Sequence, residues 1–351
     1  MASGFLVYGS YGYTGELIVG EALRRGLRPI LAGRDRLKLY VQSERLGLTY
    51  RAFSLLDSPV VDAALSDLSA VLHCAGPFSH TYQAMVDSCL RTRTHYLDIT
   101  GEPVVFEGLH GLDARARTAG VMLLPGVGYS VVPSDCLAAR LKARLPSATR
   151  LSLAFQAVGQ PSKGTANTAL EVIRRGALAR QNGVLTEVPW GAKRRTVDLG
   201  GGEVETVCIP AGDLITAFRS TGIPNIEVFA ALPTLLRAGL TASGRLGGLV
   251  RSSVAQYLLG WLIEALPSGP SEEERVMGES RLWGEARDNF GRRVVSMLRG
   301  PEVYDLTALA AMSAMERVLA GELSPGFQTP STAYGADFVL TVPGITREDV
   351  I

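Results

Sequence analysis

The stretch FLVYGSYGYTG at residues 5–15 constrains the fold more than any other part of the chain. An apolar run leads directly into Gly9-x-x-Gly12-x-x-Gly15 and then into a helical pattern. Gly9 suits a tight turn, Gly12 lets backbone approach a diphosphate, and Gly15 lets the helix pack closely on the strand. The N–H groups and dipole of such a helix start favour that anion. GxxGxxG is a weak pattern alone, and its context strengthens it. Apolar runs recur at 29–32, 50–53, 70–74, 96–99 and 121–124, with helical spacing at 16–25 and 82–90 between them. Strand alternating with helix six times predicts an α/β architecture: a Rossmann-type, doubly wound parallel sheet over residues 1–145. Its ligand belongs at the carboxyl ends of the strands.

After Pro146 the pattern changes. Residues 150–158 alternate as a half-exposed strand, and 195–199 and 205–209 flank Gly200-Gly201-Gly202 as a hairpin would. Two more alternating strands surround Asp288-Asn289-Phe290-Gly291, and a helix follows at 306–320. A second α+β domain with a largely antiparallel or mixed sheet is expected over 146–324. The tail, about 325–351, either packs back on the first domain or closes the second.

Several function classes drop out. Lys and Arg total 35 against 34 Asp and Glu, so the net charge of +1 gives no electrostatic case for nucleic acid. Cys74, Cys89, Cys136 and Cys208 form no CxxC pair, and His73, His80, His95 and His110 show no zinc spacing, so no metal is expected. MASGFLVYGS lacks the basic start of a signal peptide, which suits a reduced, cytoplasmic protein. Residues 246–266 are apolar, yet Arg251, Gln256 and Glu264 interrupt them. They read either as a core helix or as a weak membrane-surface contact.

The second strand ends at Ala32-Gly33-Arg34-Asp35. NAD-preferring folds place a carboxylate at this strand end to accept from the ribose 2′-OH. Here Gly33 occupies the position and Arg34 follows, a guanidinium suited to a 2′-phosphate. Asp35 comes one residue late and suits a helix cap. The expected cofactor is therefore NADP(H). Asp57 either touches the adenine or caps the helix at Ser58-Pro59. Small residues at Cys74-Ala75-Gly76-Pro77-Phe78 leave room for the nicotinamide half, with Cys74 as filler.

With these residues in place, the chain resembles the saccharopine dehydrogenase-like oxidoreductases, in particular the bacterial group that includes trans-acting enoyl reductases. YGSYGYTGELI, ILAGRD, CAGPF, THYLDITGE (94–102) and GVGYSVVPSDCLAARL (126–141) carry the resemblance. RSTGIPNIEV (219–228) and GFQTPSTAYGADFVL (326–340) extend it to nearly the whole chain. The resemblance implies an NADP-binding domain, a second domain that often pairs subunits as a homodimer, and redox chemistry at C=N or activated C=C bonds. It implies that Gly9, Ser10, Tyr11, Gly12, Tyr13, Thr14 and Arg34 hold the adenosine and diphosphate. Ala75, Gly76, Pro77 and Phe78 would then border the ribose and nicotinamide, with Thr100, Gly101 and Glu102 near that end. One departure stands out: where the group commonly reads GFDVVPTD or GFDSVPSD, Ser130 replaces the first aspartate while Asp135 remains.

Hydride transfer needs an aligned acceptor carbon and a proton source within hydrogen-bond reach. Tyr129, His80 and Asp135 are the candidate catalytic residues, Tyr129 foremost. Lys163 and Thr165 open a helix in the second domain, and Arg219 and Asn225 lie in a Gly/Pro-rich loop; all four are candidates for substrate binding. Reduction of an enoyl or imine bond in a small-molecule or acyl-carrier-bound substrate is the expected activity. A saccharopine- or opine-type amino-acid dehydrogenase, or a non-catalytic NADP-binding, lipid-associated protein, are the alternatives.

Overall fold

The structure is a computed structural model describing residues 4–158, 162, 176–232 and 269–351. Two compact units divide the chain: Met1–Val132 with Tyr304–Tyr334, and Pro133–Val303 with Gly335–Ile351. The first unit opens with β1 (Phe5–Tyr8), α1 (Tyr13–Arg24), β2 (Ile30–Gly33), α2 (Arg36–Leu46) and β3 (Tyr50–Ala52). It continues through α3 (Ser58–Leu65), β4 (Ala70–His73), α4 (Phe78–Thr92), β5 (His95–Asp98), α5 (Pro103–Gly111), α6 (Asp113–Ala119) and β6 (Met122–Leu124). These strands lie in the order β6-β5-β4-β1-β2-β3, every pair parallel. β1, β4 and β6 are buried along their whole length, as strands covered on both faces must be. Leu6 sits in register between Ile30 and Val71, so the order reverses at β1, where β1 meets β4. That reversal is the switch point at which such sheets bind ligands.

The second unit begins in α7 (Val132–Arg144) and β7 (Arg150–Val158), then β8 (Ala177–Gln181), β9 (Val184–Val188), β10 (Arg194–Asp198) and β11 (Glu203–Cys208). α8 (Asp213–Thr221), β12 (Asn225–Ala230), α9 (Glu272–Met277), β13 (Glu279–Arg287) and β14 (Arg293–Pro301) follow. The chain then returns to the first unit as α10 (Val303–Leu319), β15 (Gly326–Phe327) and α11 (Pro330–Tyr334), and ends in the second with β16 (Thr346–Asp349). The second sheet runs β10-β11-β12-β7-β13-β14-β16, with β8 pairing β12 and β9. It is mixed: β12 and β7 are parallel and the other pairs antiparallel. Asp288 closes the β13–β14 turn, accepting from the Phe290 and Arg292 amides at 2.9 and 3.0 Å.

The unit boundary differs from the one expected at 145/146. It falls at 132/133, because α7 packs with the second sheet, and residues expected in the second domain (304–324) pack with the first. The tail does both things expected of it. β15 pairs with β6 at the edge of the first sheet, and β16 pairs with β14 in the second. Among the described residues no helix is long and apolar enough to cross a membrane. The apolar segment 246–266 lies outside them.

Two aspartates of the second unit lie fully buried. Asp135, on α7, is fully buried and accepts from the Ser220 hydroxyl at 2.7 Å. Asp213, in the first turn of α8, is also fully buried, and burial pushes its pKa up to about 7. The Ser134 hydroxyl works against that rise and the Asp135 charge adds to it. Folded protein thus keeps a proton on Asp213 that the unfolded chain releases near its ordinary 3.8, so this group's stabilising contribution declines as pH climbs from about 4 to 7. Asp213→Asn is expected to melt progressively higher than the wild type across that window, with the advantage vanishing below pH 4. Thermal unfolding followed from pH 4 to 8 checks this.

Candidate functional site

The glycine turn is held by backbone contacts with almost no slack. Gly9 takes φ +86° and donates its N–H to the Ala32 carbonyl at 2.7 Å, tying the end of β1 to β2. A Cβ on Gly15 would lie 2.2 Å from the Gly9 carbonyl oxygen, so α1 can seat against β1 only if residue 15 is glycine. Gly12 is exposed and N-caps α1 without a side-chain acceptor. This leaves the mouth of the turn open to an anion. The Ser10 side chain turns inward instead: its hydroxyl donates to Gln42 Oε1, and Gln42 Nε2 donates back to the Ser10 carbonyl, both at 2.8 Å. Ser10 therefore fastens the turn to α2. The Tyr13 ring packs edge-on against Tyr304 at 5.1 Å, and Thr14 is half-buried in the first turn of α1.

At the end of β2, Tyr11 lies over Gly33, and its hydroxyl accepts from the Asp35 amide at 3.2 Å. Asp35 N-caps α2, accepting from the Leu37 and Lys38 amides at 3.1 Å. Asp57 does the same for α3, accepting from Val60 at 3.4 Å. The nearby carboxylates are thus committed to helix starts. Arg34 is exposed, with no hydrogen bond or ion pair among the described residues. Arg36 and Lys38 stand exposed beside it, the Lys38 ammonium 5.7 Å from the Tyr11 ring centroid. The chain presents a cationic edge here, with Asp35 Oδ1 already taken up by the α2 amides.

At the ends of β4 and β5 a buried carboxylate organises the loops. Asp98 Oδ1 accepts from the Thr100 and Gly126 amides at 2.9 and 2.8 Å, and Oδ2 accepts from the Tyr96 hydroxyl at 2.8 Å. Burial raises its pKa to about 6, while these three donors hold it lower than burial alone would. The Glu102 carboxylate, also buried, accepts from the Phe78 and Ser79 amides at 2.8 and 3.0 Å. It caps α4 in place of the missing side-chain cap at Pro77, and Thr100 Oγ1 accepts from its amide at 3.1 Å. Ala75 and Pro77 are half-buried and Gly76 is exposed, with the Ala75 carbonyl accepting from Thr81 Oγ1 at 2.8 Å. Gly101 lies beside Ser130, whose Oγ would be 3.1 Å from a Cβ there.

This arrangement has a counterpart in known proteins. Residues 5–124 match the family model for the saccharopine dehydrogenase NADP binding domain. The match falls within the first unit. Its relatives include a saccharopine dehydrogenase-like oxidoreductase of Bos taurus, 25% identical over 150 residues, which make up 37% of this chain and 35% of that protein. A trans-acting enoyl reductase of Mycobacterium leprae is 30% identical over 140 residues, 37% of this chain and 33% of that protein. The match therefore spans about a third of the length of these curated relatives. The fold extends further: a saccharopine dehydrogenase (L-Glu forming) from Saccharomyces cerevisiae superposes with a TM-score of 0.67 at 14% identity, covering 99% of this chain and 100% of that one.

Within the first unit, His73 is fully buried among the rings of Tyr8, Phe78 and Tyr96, and burial drives its pKa down to about 3. The imidazole is thus neutral, with Nε2 2.9 Å from Thr81 Oγ1. Phe78 is correspondingly a packing residue. Tyr129 is half-buried, and its amide donates to Thr307 Oγ1 at 3.1 Å, while His80 is exposed in the first turn of α4. Cys74 is half-buried, and burial pushes its thiol pKa far up, so it is no nucleophile. Of the residues expected to serve catalysis, Asp135 belongs to the second unit, fully buried and bonded to Ser220 as described. Arg219 is exposed on α8 with no ion pair among the described residues. Asn225 is a bracket: its Oδ1 accepts from the Asn182 amide and its Nδ2 donates to the Thr149 carbonyl, both at 3.0 Å. Lys163 and Thr165 lie outside the described residues.

Gln42 and Thr307 escaped the sequence reading, because each serves the site from 32 and 178 residues away along the chain. The cations at 36 and 38 were visible in sequence, yet only the capping of α2 by Asp35 shows which side they face. Gly15→Ala is expected to abolish nucleotide binding and to cost about 2 kcal/mol or more of stability, since backbone must move to admit the methyl group. Cofactor titration and chemical denaturation of the variant check both.

Proposed function

We propose that the protein is an NADP(H)-dependent oxidoreductase that reduces an activated C=C bond, with an enoyl thioester as its substrate. One observation carries the cofactor half of this reading: Arg34 stands exposed at the end of β2 with no ion pair or hydrogen bond among the described residues, while Asp35 is turned onto the amides of α2. A guanidinium in that position pairs with a 2′-phosphate through charge-assisted hydrogen bonds, and the strand-end position that would hold a ribose-binding carboxylate is Gly33. The residues fit the dinucleotide elsewhere too. The exposed Gly12 and uncapped α1 suit a diphosphate, and the small residues at 75–77 leave room at the switch point. The enoyl half rests on the likeness to the mycobacterial trans-acting enoyl reductase.

When bound, NADPH supplies a hydride to the electrophilic carbon. The chain's own residues hold and aim. Asp98 fixes the loops after β5 and β6 through the Thr100 and Gly126 amides, and Glu102 fixes the start of α4. Tyr129, on the loop after β6, holds the proton at its hydroxyl for delivery to the neighbouring carbon, and the protein excludes water while the two transfers occur.

Arg34→Ala is expected to weaken NADPH at least tenfold and to leave NADH almost unchanged, as read by protein-fluorescence titration. Equal affinity of the wild type for both cofactors would sink the assignment of Arg34. Tyr129→Phe is expected to lower kcat about a hundredfold with NADPH affinity intact. Stopped-flow oxidation of bound NADPH against enoyl thioesters and cyclic imines measures this. Faster turnover of the imines would displace the enoyl reading while leaving the cofactor reading standing.

A further inference from the structure

The second unit holds a cavity of about 760 Å³ over one face of its sheet, lined from β7, β8, β10, β12 and β13. Its charge is lopsided. Six cationic side chains line it against the two carboxylates of Glu227 and Glu285, although the whole chain has a net charge of only +1. Glu227 is paired with Lys193. Glu285, its side chain 3% exposed, is shared by Arg195 at 2.6 Å and Arg287 at 2.6 Å, with Arg293 at 3.9 Å. The two acids are therefore fully engaged, Arg194 is paired at 3.2 Å with Glu205 from outside the cavity, and an excess of about three positive charges remains on the wall.

Strand register concentrates that excess. Arg150 on β7 lies directly opposite Arg287 on β13, and Arg287 lies opposite Arg293 on β14. Three arginines thus form one row across three adjacent strands, on the same face of the sheet. Directly opposed side chains sit about 5 Å apart, and like charges so placed destabilise a sheet. Arg150 at the end of the row is exposed and has no ion pair or hydrogen bond among the described residues. Arg195, which completes the wall, is already fixed, donating to Ser152 Oγ at 2.9 Å and lying 4.6 Å from the Trp283 ring.

The geometry points to a binding site for a small phosphate-bearing molecule, held by Arg150 and Arg287 with Arg195 behind them. A cavity of this volume takes a metabolite-sized ligand. A recess lined by one sign of charge concentrates counter-ions. Guanidinium groups a strand apart match the oxygens of a phosphate or diphosphate bridging them, and one carboxylate would leave most of the excess uncompensated. Such an anion removes the repulsion along the row, so its binding stabilises the second sheet. The site lies wholly in the second unit and does not depend on the reaction proposed for the first.

Pyrophosphate is the probe, with citrate as a carboxylate control, in titrations of the full chain at about 20 mM ionic strength, where screening is weak. Wild type is expected to bind pyrophosphate saturably and at least tenfold more tightly than citrate, with quenching of Trp283 and a raised melting temperature. Arg150→Glu is expected to bind at least tenfold more weakly, and Arg150→Ala to melt slightly higher than wild type in the absence of anion. Saturating NADPH, which would occupy the glycine turn of the first unit, is expected to leave pyrophosphate binding in place. Absence of saturable binding, equal affinity for citrate, or competition by NADPH with retention in Arg150→Glu would each overturn the proposal.

Discussion

The contact between the Gly9 carbonyl and the Cα of Gly15 is the constraint on which the first unit depends. A single methyl group at residue 15 would fall 2.2 Å from that oxygen. Because α1 sits so close, its first turn stands directly over the end of β1, where the sheet order reverses. The Gly9 bond to Ala32 and the Ser10–Gln42 pair then fix the turn against β2 and α2. Nothing in this assembly uses a charged side chain. The turn is shaped by backbone and left polar by the N–H groups of a helix start, which suits an anionic ligand without an opposing acid.

Charge is managed by a second device, the conversion of carboxylates into helix caps. Asp35, Asp57 and Glu102 all stand at the carboxyl edge of the first sheet, and all three are turned onto backbone amides at a helix start, Asp35 and Asp57 on the helix that follows and Glu102 on α4 before it. Each stabilises its helix by about 1 kcal/mol, as capping side chains do. The electrostatic result is larger than the caps themselves. With the acids occupied, Arg34, Arg36 and Lys38 set the sign of the field at the edge. The second sheet handles its arginines in the opposite manner, packing them opposite one another with a single buried acid to share.

Much of the first unit was legible because its signals are local. Apolar runs of four residues and helical spacing between them placed β1 to β6 within a residue or two, and the glycine turn named the ligand end. Arg34 and the capping role of Asp35 followed from position alone. Glu102 did not, since a glutamate 24 residues from the amides it caps looks in sequence like any polar residue near a strand end. The surroundings of Asp135 were hidden for a related reason: its neighbours Ser220 and Asp213 are distant in sequence, so its burial had no local mark. The domain boundary differs because packing alone assigns α7 to the second unit and α10 to the first. The arginine row depends on register between three strands, which periodicity does not supply.

The return of Tyr304–Tyr334 to the first unit makes that unit discontinuous in the chain. During synthesis the ribosome emits β1 to β6 first, and then the entire described second sheet except β16, before β15 can cover the open side of β6. Until then Met122–Leu124, an apolar strand, has an unpaired edge. The domain that forms earliest in sequence is therefore among the last to be completed, and the nascent chain carries an exposed strand edge through most of its translation.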